Sequence, residues 1–188
     1  HTGSFKFRAA YNLALNVPNA EILTASSGNF GQALALACKL TGKKCTVVMP
    51  ETSASVKIEA VRNYGATVEL IDTKIVGRNE KVSELAERMP DVYVASAYDD
   101  LFVIEGNSTI GDELAQKNFD VIISPVGGGG LISGISKCLC RNSNQANLIG
   151  AEPLLGNDAA KSLKAGKIIS NENEPQTIAD GARTLGLG

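Results

Sequence analysis

Short runs rich in β-branched residues alternate along this chain with longer runs whose apolar residues recur at helical spacing, and that alternation limits the fold more than any other feature. The strand-like runs fall at 21–25, 45–49, 67–72, 92–95, 121–124 and 148–151, and the helical ones at 31–40, 55–64, 79–88, 104–117 and 131–140. Strands separated by helices can join one sheet only by crossover, so the order predicts an α/β fold built on parallel strands. Gly42, Gly65 and Pro90 punctuate helix ends, and Ser53 or Ser55 is placed to cap the helix over 55–64. The polar run Ser170-Asn171-Glu172-Asn173-Glu174-Pro175 reads as a surface loop.

Chemistry concentrates in a few of the connections. In His1-Thr2-Gly3-Ser4-Phe5-Lys6-Phe7-Arg8, a lysine sits between two aromatic residues just ahead of a helical pattern. An ammonium set among apolar groups loses hydration, so its pKa falls and a neutral, nucleophilic amine becomes accessible near pH 7. Schiff-base chemistry needs such an amine, although a lone lysine of this kind is ordinarily a solvated one. In Gly127-Gly128-Gly129-Gly130, four residues without Cβ lie between a strand and a helix, so successive backbone N–H groups can approach an anion at a helix N-terminus. A dinucleotide site is the competing reading, with Glu152 about 20 residues on as a ribose acceptor. Against it, Ser133 stands where the third glycine of G-x-G-x-x-G belongs.

Ser26-Ser27-Gly28-Asn29 also follows a strand and opens a helix, a place that suits a carboxylate as well as a simple cap. Glu152 and Asp158, six residues apart after a strand, could bind a hard divalent cation with the Gly156 carbonyl, or be solvated loop acids.

Taken in order, Ser4-Phe5-Lys6, Ser26-Ser27-Gly28-Asn29, the four glycines and Thr177-Ile178-Ala179-Asp180-Gly181 resemble the fold-type II pyridoxal-phosphate enzymes, specifically the serine/threonine dehydratase and serine racemase group. The resemblance covers essentially the whole chain. It implies two open, twisted, mostly parallel sheets flanked by helices, of the tryptophan synthase beta kind. Residues 18–97 would form a small mobile domain, and 1–17 with 98–188 part of a larger cofactor-binding domain. The chain begins without Met and stops just after a motif, so both natural ends are expected to lie beyond it.

By the same resemblance, Lys6 anchors pyridoxal phosphate and moves the Cα proton, with Phe5 beside it. Gly127, Gly128, Gly129 and Gly130 hold the phosphate, Asn29 meets the phenolic oxygen, and Gly181 lies against the ring. Ser26, Ser27, Gly28 and Asn29 hold the substrate carboxylate, and Ser27 stands where racemases place a second acid/base. Glu152, Gly156 and Asp158 match the Mg, Mn or Ca site of metal-dependent members. The reaction so implied is ammonia-lyase conversion of L-threonine or L-serine to 2-oxobutyrate or pyruvate, with serine racemase or hydroxyaspartate dehydratase as alternatives. A nicotinamide-dependent oxidoreductase and an inactive binding module are the readings outside the family. The pyridine-nitrogen partner would lie outside this chain, and the expected assembly is a homo-oligomer, a dimer or tetramer. Phe30 replaces the histidine common in relatives and Ala9 a glycine, and the first of these departures leaves the substrate open.

Composition narrows the remaining classes. A net charge of −2 gives no basic field for nucleic acid, and no apolar run approaches the roughly 20 residues a bilayer requires. Cys38, Cys45, Cys138 and Cys140 lack C-x-x-C spacing, which points to reduced thiols in a cytoplasmic protein, while the small amino-acid substrate is what the resemblance implies. Cys138 and Cys140, two apart, would lie on different faces of a helix.

Overall fold

A computed structural model of the chain describes residues 2–188, so that His1 of the opening motif lies outside it. The chain divides into two compact units, His1–Ala97 and Tyr98–Gly188.

The first unit contains α1 (Lys6–Asn16), β1 (Glu21–Ala25), α2 (Asn29–Thr41), β2 (Lys44–Pro50), α3 (Ser55–Asn63), β3 (Thr67–Ile71), α4 (Arg78–Arg88) and β4 (Tyr93–Val94). Its strands form one sheet in the order β3-β2-β1-β4, with every neighbour parallel. Parallel strands covered on both faces must be apolar along their length. Accordingly Ile22, Leu23, Val47, Val48 and Met49 are all fully buried. Leu23 and Val48 pack with Ile71 and Val82 in a cluster extended by Leu85 and Ala86 of α4. Helix α1 packs on α2, and Ala9, Ala10 and Leu13 of the first and Ala33, Leu34 and Ala37 of the second are fully buried.

Gly42 ends α2 in the left-handed conformation, with φ 71° and its N–H donating to the Cys38 carbonyl, as its position after the helical run predicts. The expected serine cap of α3 is absent. Ala54 is the N-cap and makes no side-chain bond, while the Ser53 hydroxyl is buried without a partner.

The second unit contains α5 (Leu101–Ala115), β5 (Val121–Pro125), α6 (Gly130–Arg141), β6 (Asn147–Ala151) and α7 (Asp158–Ala165), with short 3₁₀ turns at Leu154–Gly156 and Asp180–Ala182. β5 and β6 pair in parallel as a two-stranded sheet. Ile122 packs with Ile135 and Leu139 of α6, joined by Ile110, Leu114 and Leu148. The closest helix contact is α5 on α6, and glycines permit it. A Cβ on Gly134 would stand 2.6 Å from the Ile104 carbonyl oxygen, and one on Gly111 would collide with Cys138 Cβ. All four cysteines are free thiols, with Cys138 buried and Cys140 exposed, as their spacing on one helix requires. Among the described residues no helix is long and apolar enough to cross a membrane.

Candidate functional site

Lys6 is the first residue of α1, and its Nζ donates to the carbonyl oxygen of Ala97 at 2.9 Å. The Phe5 ring centroid lies 5.1 Å from Nζ and the Phe30 centroid 5.8 Å. Phe7, expected as the second flanking ring, stacks on Tyr11 at 5.5 Å, and Phe30 from the start of α2 takes that place. Burial lowers the amine from its ordinary 10.5 to about 8. Ring faces favour a cation, but here the lost hydration is the larger effect. A useful fraction of neutral amine therefore exists at mildly alkaline pH.

The Ser26-Ser27-Gly28-Asn29 loop lies in the same unit and leads into α2. Ser26 is buried, and its Oγ accepts from the Gly31 N–H at 3.0 Å and the Gly28 N–H at 3.4 Å, which fixes the turn from β1 into the helix. Gly31 permits the tight entry, because a Cβ there would stand 3.1 Å from both the Ser26 carbonyl oxygen and Val47 Cγ1. Gly28 is the N-cap residue, Ser27 is half-buried and Asn29 is exposed. Phe30 sits three positions after Ser27 against the Lys6 amine, so the lysine motif and this loop come together.

In the second unit the four glycines end β5 and open α6, and each has its own physical reason. Gly129 has φ 93°, a left-handed value that side chains disfavour. A Cβ on Gly127 would lie 2.9 Å from the Gly181 carbonyl oxygen, one on Gly128 would collide with the Tyr98 ring at 2.1 Å from its Cγ, and one on Gly130 would lie 2.5 Å from the Tyr98 carbonyl oxygen. The close approach that the glycines permit is thus made by Gly181 and Tyr98. Among the described residues the N–H groups of Gly128, Gly129 and Gly130 have no protein partner, as expected at a helix start. An open cavity of about 100 Å³ lies beside them, lined by Tyr98, Gly128, Gly129, Gly130, Ser133 and Leu187. Asn107 of α5, fully buried, donates from Nδ2 to the Gly130 carbonyl oxygen at 3.1 Å.

Gly181 is exposed in the 3₁₀ turn and meets Gly127 through its carbonyl, which brings the Thr177–Gly181 motif to the glycine loop. Arg183 steadies that turn by donating from Nε and Nη2 to the Thr177 carbonyl oxygen.

Glu152 and Asp158 are placed at the start of α7. Glu152 accepts from the Ala159 N–H through Oε1 at 3.1 Å and from the Ala160 N–H through Oε2 at 2.7 Å. Asp158 is buried, its Oδ1 accepting from Asn171 Nδ2 at 2.8 Å, while Oδ2 is buried without a partner. Gly156 is buried against Pro175. Among the described residues no three His, Cys, Asp or Glu side chains converge as a metal cluster.

Phe30, Ala97, Tyr98 and Asn107 are the contributors that sequence reasoning missed as site residues. Only Phe30 carried a signal, as an aromatic at the head of a helix following a polar loop.

Comparison with known proteins gives one answer. The family described as pyridoxal-phosphate dependent enzyme matches residues 1–186. Serine racemase of Dictyostelium discoideum is 41% identical over 97% of this chain and 58% of its own length. An L-threo-3-hydroxyaspartate ammonia-lyase of Pseudomonas sp is 36% identical over 100% of this chain and 60% of its own. The structure of maize serine racemase superposes with a TM-score of 0.92 at 33% identity, covering 100% of this chain and 58% of the other. The chain therefore spans about three fifths of the length of the relatives it matches. With a buried amine at the head of α1 and a four-glycine loop at the head of α6, the chain belongs to the pyridoxal-phosphate dependent enzymes, in the fold-type II group of threonine/serine dehydratases and serine racemases.

Proposed function

We propose that the protein of which this chain is a part interconverts the enantiomers of a small amino acid such as serine, using Lys6 and Ser27 as the two proton-handling groups. The observation that carries this reading is the pairing, in one unit, of an amine whose pKa falls to about 8 with a half-buried Ser27 in the loop that leads to Phe30, whose ring lies 5.8 Å from that amine. Removing a Cα proton on one face and returning it on the other takes a donor on each side. The Dictyostelium relative carries the name of that activity. A second reading, elimination from 3-hydroxyaspartate, is favoured by the Pseudomonas relative. Threonine or serine ammonia-lyase, the first expectation from sequence, ranks behind both.

Pyridoxal phosphate fits the residues present. An amine of lowered pKa suits attachment to an aldehyde, and three unpartnered N–H groups at a helix start suit a phosphate. When bound it supplies an electron sink for the charge left by Cα proton loss. In this proposal Gly127, Gly128, Gly129 and Gly130 would hold its phosphate, Asn29 would meet its phenolic oxygen, and Phe5 and Gly181 would border it. Ser26, Gly28 and Asn29 receive the substrate carboxylate at the positive end of α2, while Phe30 keeps water from the Lys6 amine.

For a divalent ion, Asp158 Oδ2 offers an unpartnered buried oxygen. Each Glu152 oxygen retains acceptor capacity beyond the N–H it already serves. Mg, Mn or Ca held by Glu152, the Gly156 carbonyl and Asp158 is therefore part of the proposal. So is a homo-oligomeric assembly, and so is a division into 1–17 with 98–188 and a mobile 18–97, whereas contacts within this chain group 1–17 with 18–97.

The test is the full-length protein with L- and D-serine, L-threonine and 3-hydroxyaspartate, comparing the parent with Ser27→Ala. Racemisation should drop sharply while elimination largely persists. Equal loss of both would leave Ser27 as a substrate-positioning group and reject the two-donor reading.

A further inference from the structure

We propose that Asn107 is a positioning residue for the phosphate-binding glycine loop, fixing from the side of α5 the peptide at which the loop becomes helix α6. The proposal rests on the reading of Gly127–130 as the phosphate cradle, and it adds to that cradle a residue from a different element.

Asn107 is wholly buried between α5 and α6. Its Nδ2 donates to the carbonyl oxygen of Gly130 at 3.1 Å, across 23 residues of chain, while its Oδ1 is buried without a partner. A buried amide with an orphaned acceptor destabilises the fold on its own account. An apolar side chain of similar volume would fill the same space without that penalty, so packing alone gives no reason for the amide.

The contact it makes does give one. Gly130 has no side chain to restrain it, and Gly129 before it holds φ 93°. Glycine peptides rotate readily, and rotation of this one would swing the Leu131 N–H, one of the free donors of the first turn of α6, away from an anion at the helix start. Anchoring the Gly130 carbonyl toward α5 fixes the plane of its peptide bond with Leu131. The rest of the clamp is steric. Gly134, one turn further along α6, lets the helix approach so closely that its own Cβ would stand 2.8 Å from Asn107 Cβ. The Tyr98 backbone also lies against Gly130, where a Cβ would stand 2.5 Å from its carbonyl oxygen.

The experiment measures equilibrium binding of pyridoxal phosphate and of pyridoxal, which lacks the phosphate, to full-length apoprotein by calorimetry. For Asn107→Leu, affinity for pyridoxal phosphate should fall about tenfold, the weight of one buried hydrogen bond, while that for pyridoxal changes less than about twofold. Asn107→Ala, which leaves space rather than adding bulk, should show the same selective loss and serves if the leucine variant does not fold. Gly111→Ala strains the same helix interface against Cys138 without touching Gly130, and should lower Tm while leaving the ratio of the two affinities intact.

Equal loss of both ligands in the Asn107 variants, no loss of either, or the same ratio change in Gly111→Ala would overturn the proposal. Gly128→Asp separates the two levels. If it collapses binding of pyridoxal phosphate and the Asn107 variants do not, the loop reading stands and the role of Asn107 falls. If Gly128→Asp has no effect, the loop reading falls and the proposal with it.

Discussion

The two units solve the same problem, holding a loop at the start of a helix, by different means. In the first, a four-stranded parallel sheet with fully buried Leu23, Val47 and Val48 supports the Ser26–Asn29 loop from beneath, and Ser26 ties the turn down with its own hydroxyl. In the second, only two strands pair, and Ile123 and Ile149 on them are 67% and 48% exposed. A two-stranded sheet contributes little stability alone. The glycine loop is held instead by helix contacts, through Asn107, Gly134 and the Tyr98 carbonyl. One loop is fixed by a sheet core and the other by a helix pair, so substitutions should act on them through different elements.

The largest expected effect lies at Lys6 itself. Lys6→Ala in the full-length enzyme removes the amine and should lower turnover by at least about 10³-fold. Steady-state kinetics check it, and near-normal turnover would make Lys6 a bystander. Next comes the contrast between the sheets. Leu23→Ala should cost about 2–5 kcal/mol in chemical denaturation, as a cavity at a fully buried site does. Ile123→Ala should stay within about 0.5 kcal/mol if its face is as open as it is here. A loss at Ile123 matching that at Leu23 would show that the face is covered in the working protein, and the comparison would then lose its energetic half.

Local patterns were legible in the sequence and distant ones were not. Strand β1 coincides with its β-branched run, because burial on both faces favours apolar residues, and its one buried polar side chain, Thr24, is satisfied by donating to the Ala95 carbonyl oxygen at 2.8 Å. The run at 92–95 shrinks to Tyr93–Val94, pairing only with Ile22 and Leu23 after a turn at Asp91 with φ 64°. Helix α5 begins three residues before its periodic pattern, since Asp100 caps it through bonds to the N–H groups of Phe102 and Val103 while Leu101 faces outward. Helix α7 escaped notice because it is short and its cap is the side chain of Glu152, six residues ahead of its first residue. At the site, the depressed amine of Lys6 followed from its aromatic neighbour Phe5, but Phe30 and Ala97 come from 24 and 91 residues away. Asn107 reaches Gly130 across a helix interface made by glycines, and no local pattern encodes that contact.

A pH experiment sharpens the first half of the comparison. Lys6 titrates near 8 when folded, against an ordinary 10.5, because burial disfavours its charged form. Below pH 8 both folded and unfolded apoprotein hold the proton, so the full desolvation penalty is present. Between about 8 and 10.5 the unfolded chain holds more protons than the folded one, and stability therefore rises with pH. The gain is at most about 3 kcal/mol for this one group. Lys6→Met should lack that rise, so the difference between the two denaturation profiles isolates it. Parallel profiles from pH 7 to 10.5 would place the amine in water.

The smallest expected loss belongs to the second unit, at the head of α7, if the near-neutral change at Ile123 is set aside. Glu152 accepts both the Ala159 and Ala160 N–H groups and sets a negative charge at the positive end of the helix. Glu152→Ala should therefore cost about 1–2 kcal/mol, the range of a lost helix cap. Because this bonding needs no ion, the loss should persist in chelator. A divalent ion would add a separate stabilisation, since binding to the folded state alone raises Tm by mass action. Adding Mg, Mn or Ca should then raise the Tm of the parent but not of Asp158→Ala, which lacks the buried oxygen. If the chelated parent and chelated Glu152→Ala melt together, the carboxylate is not holding the helix, and the second unit relies on α5 and α6 alone.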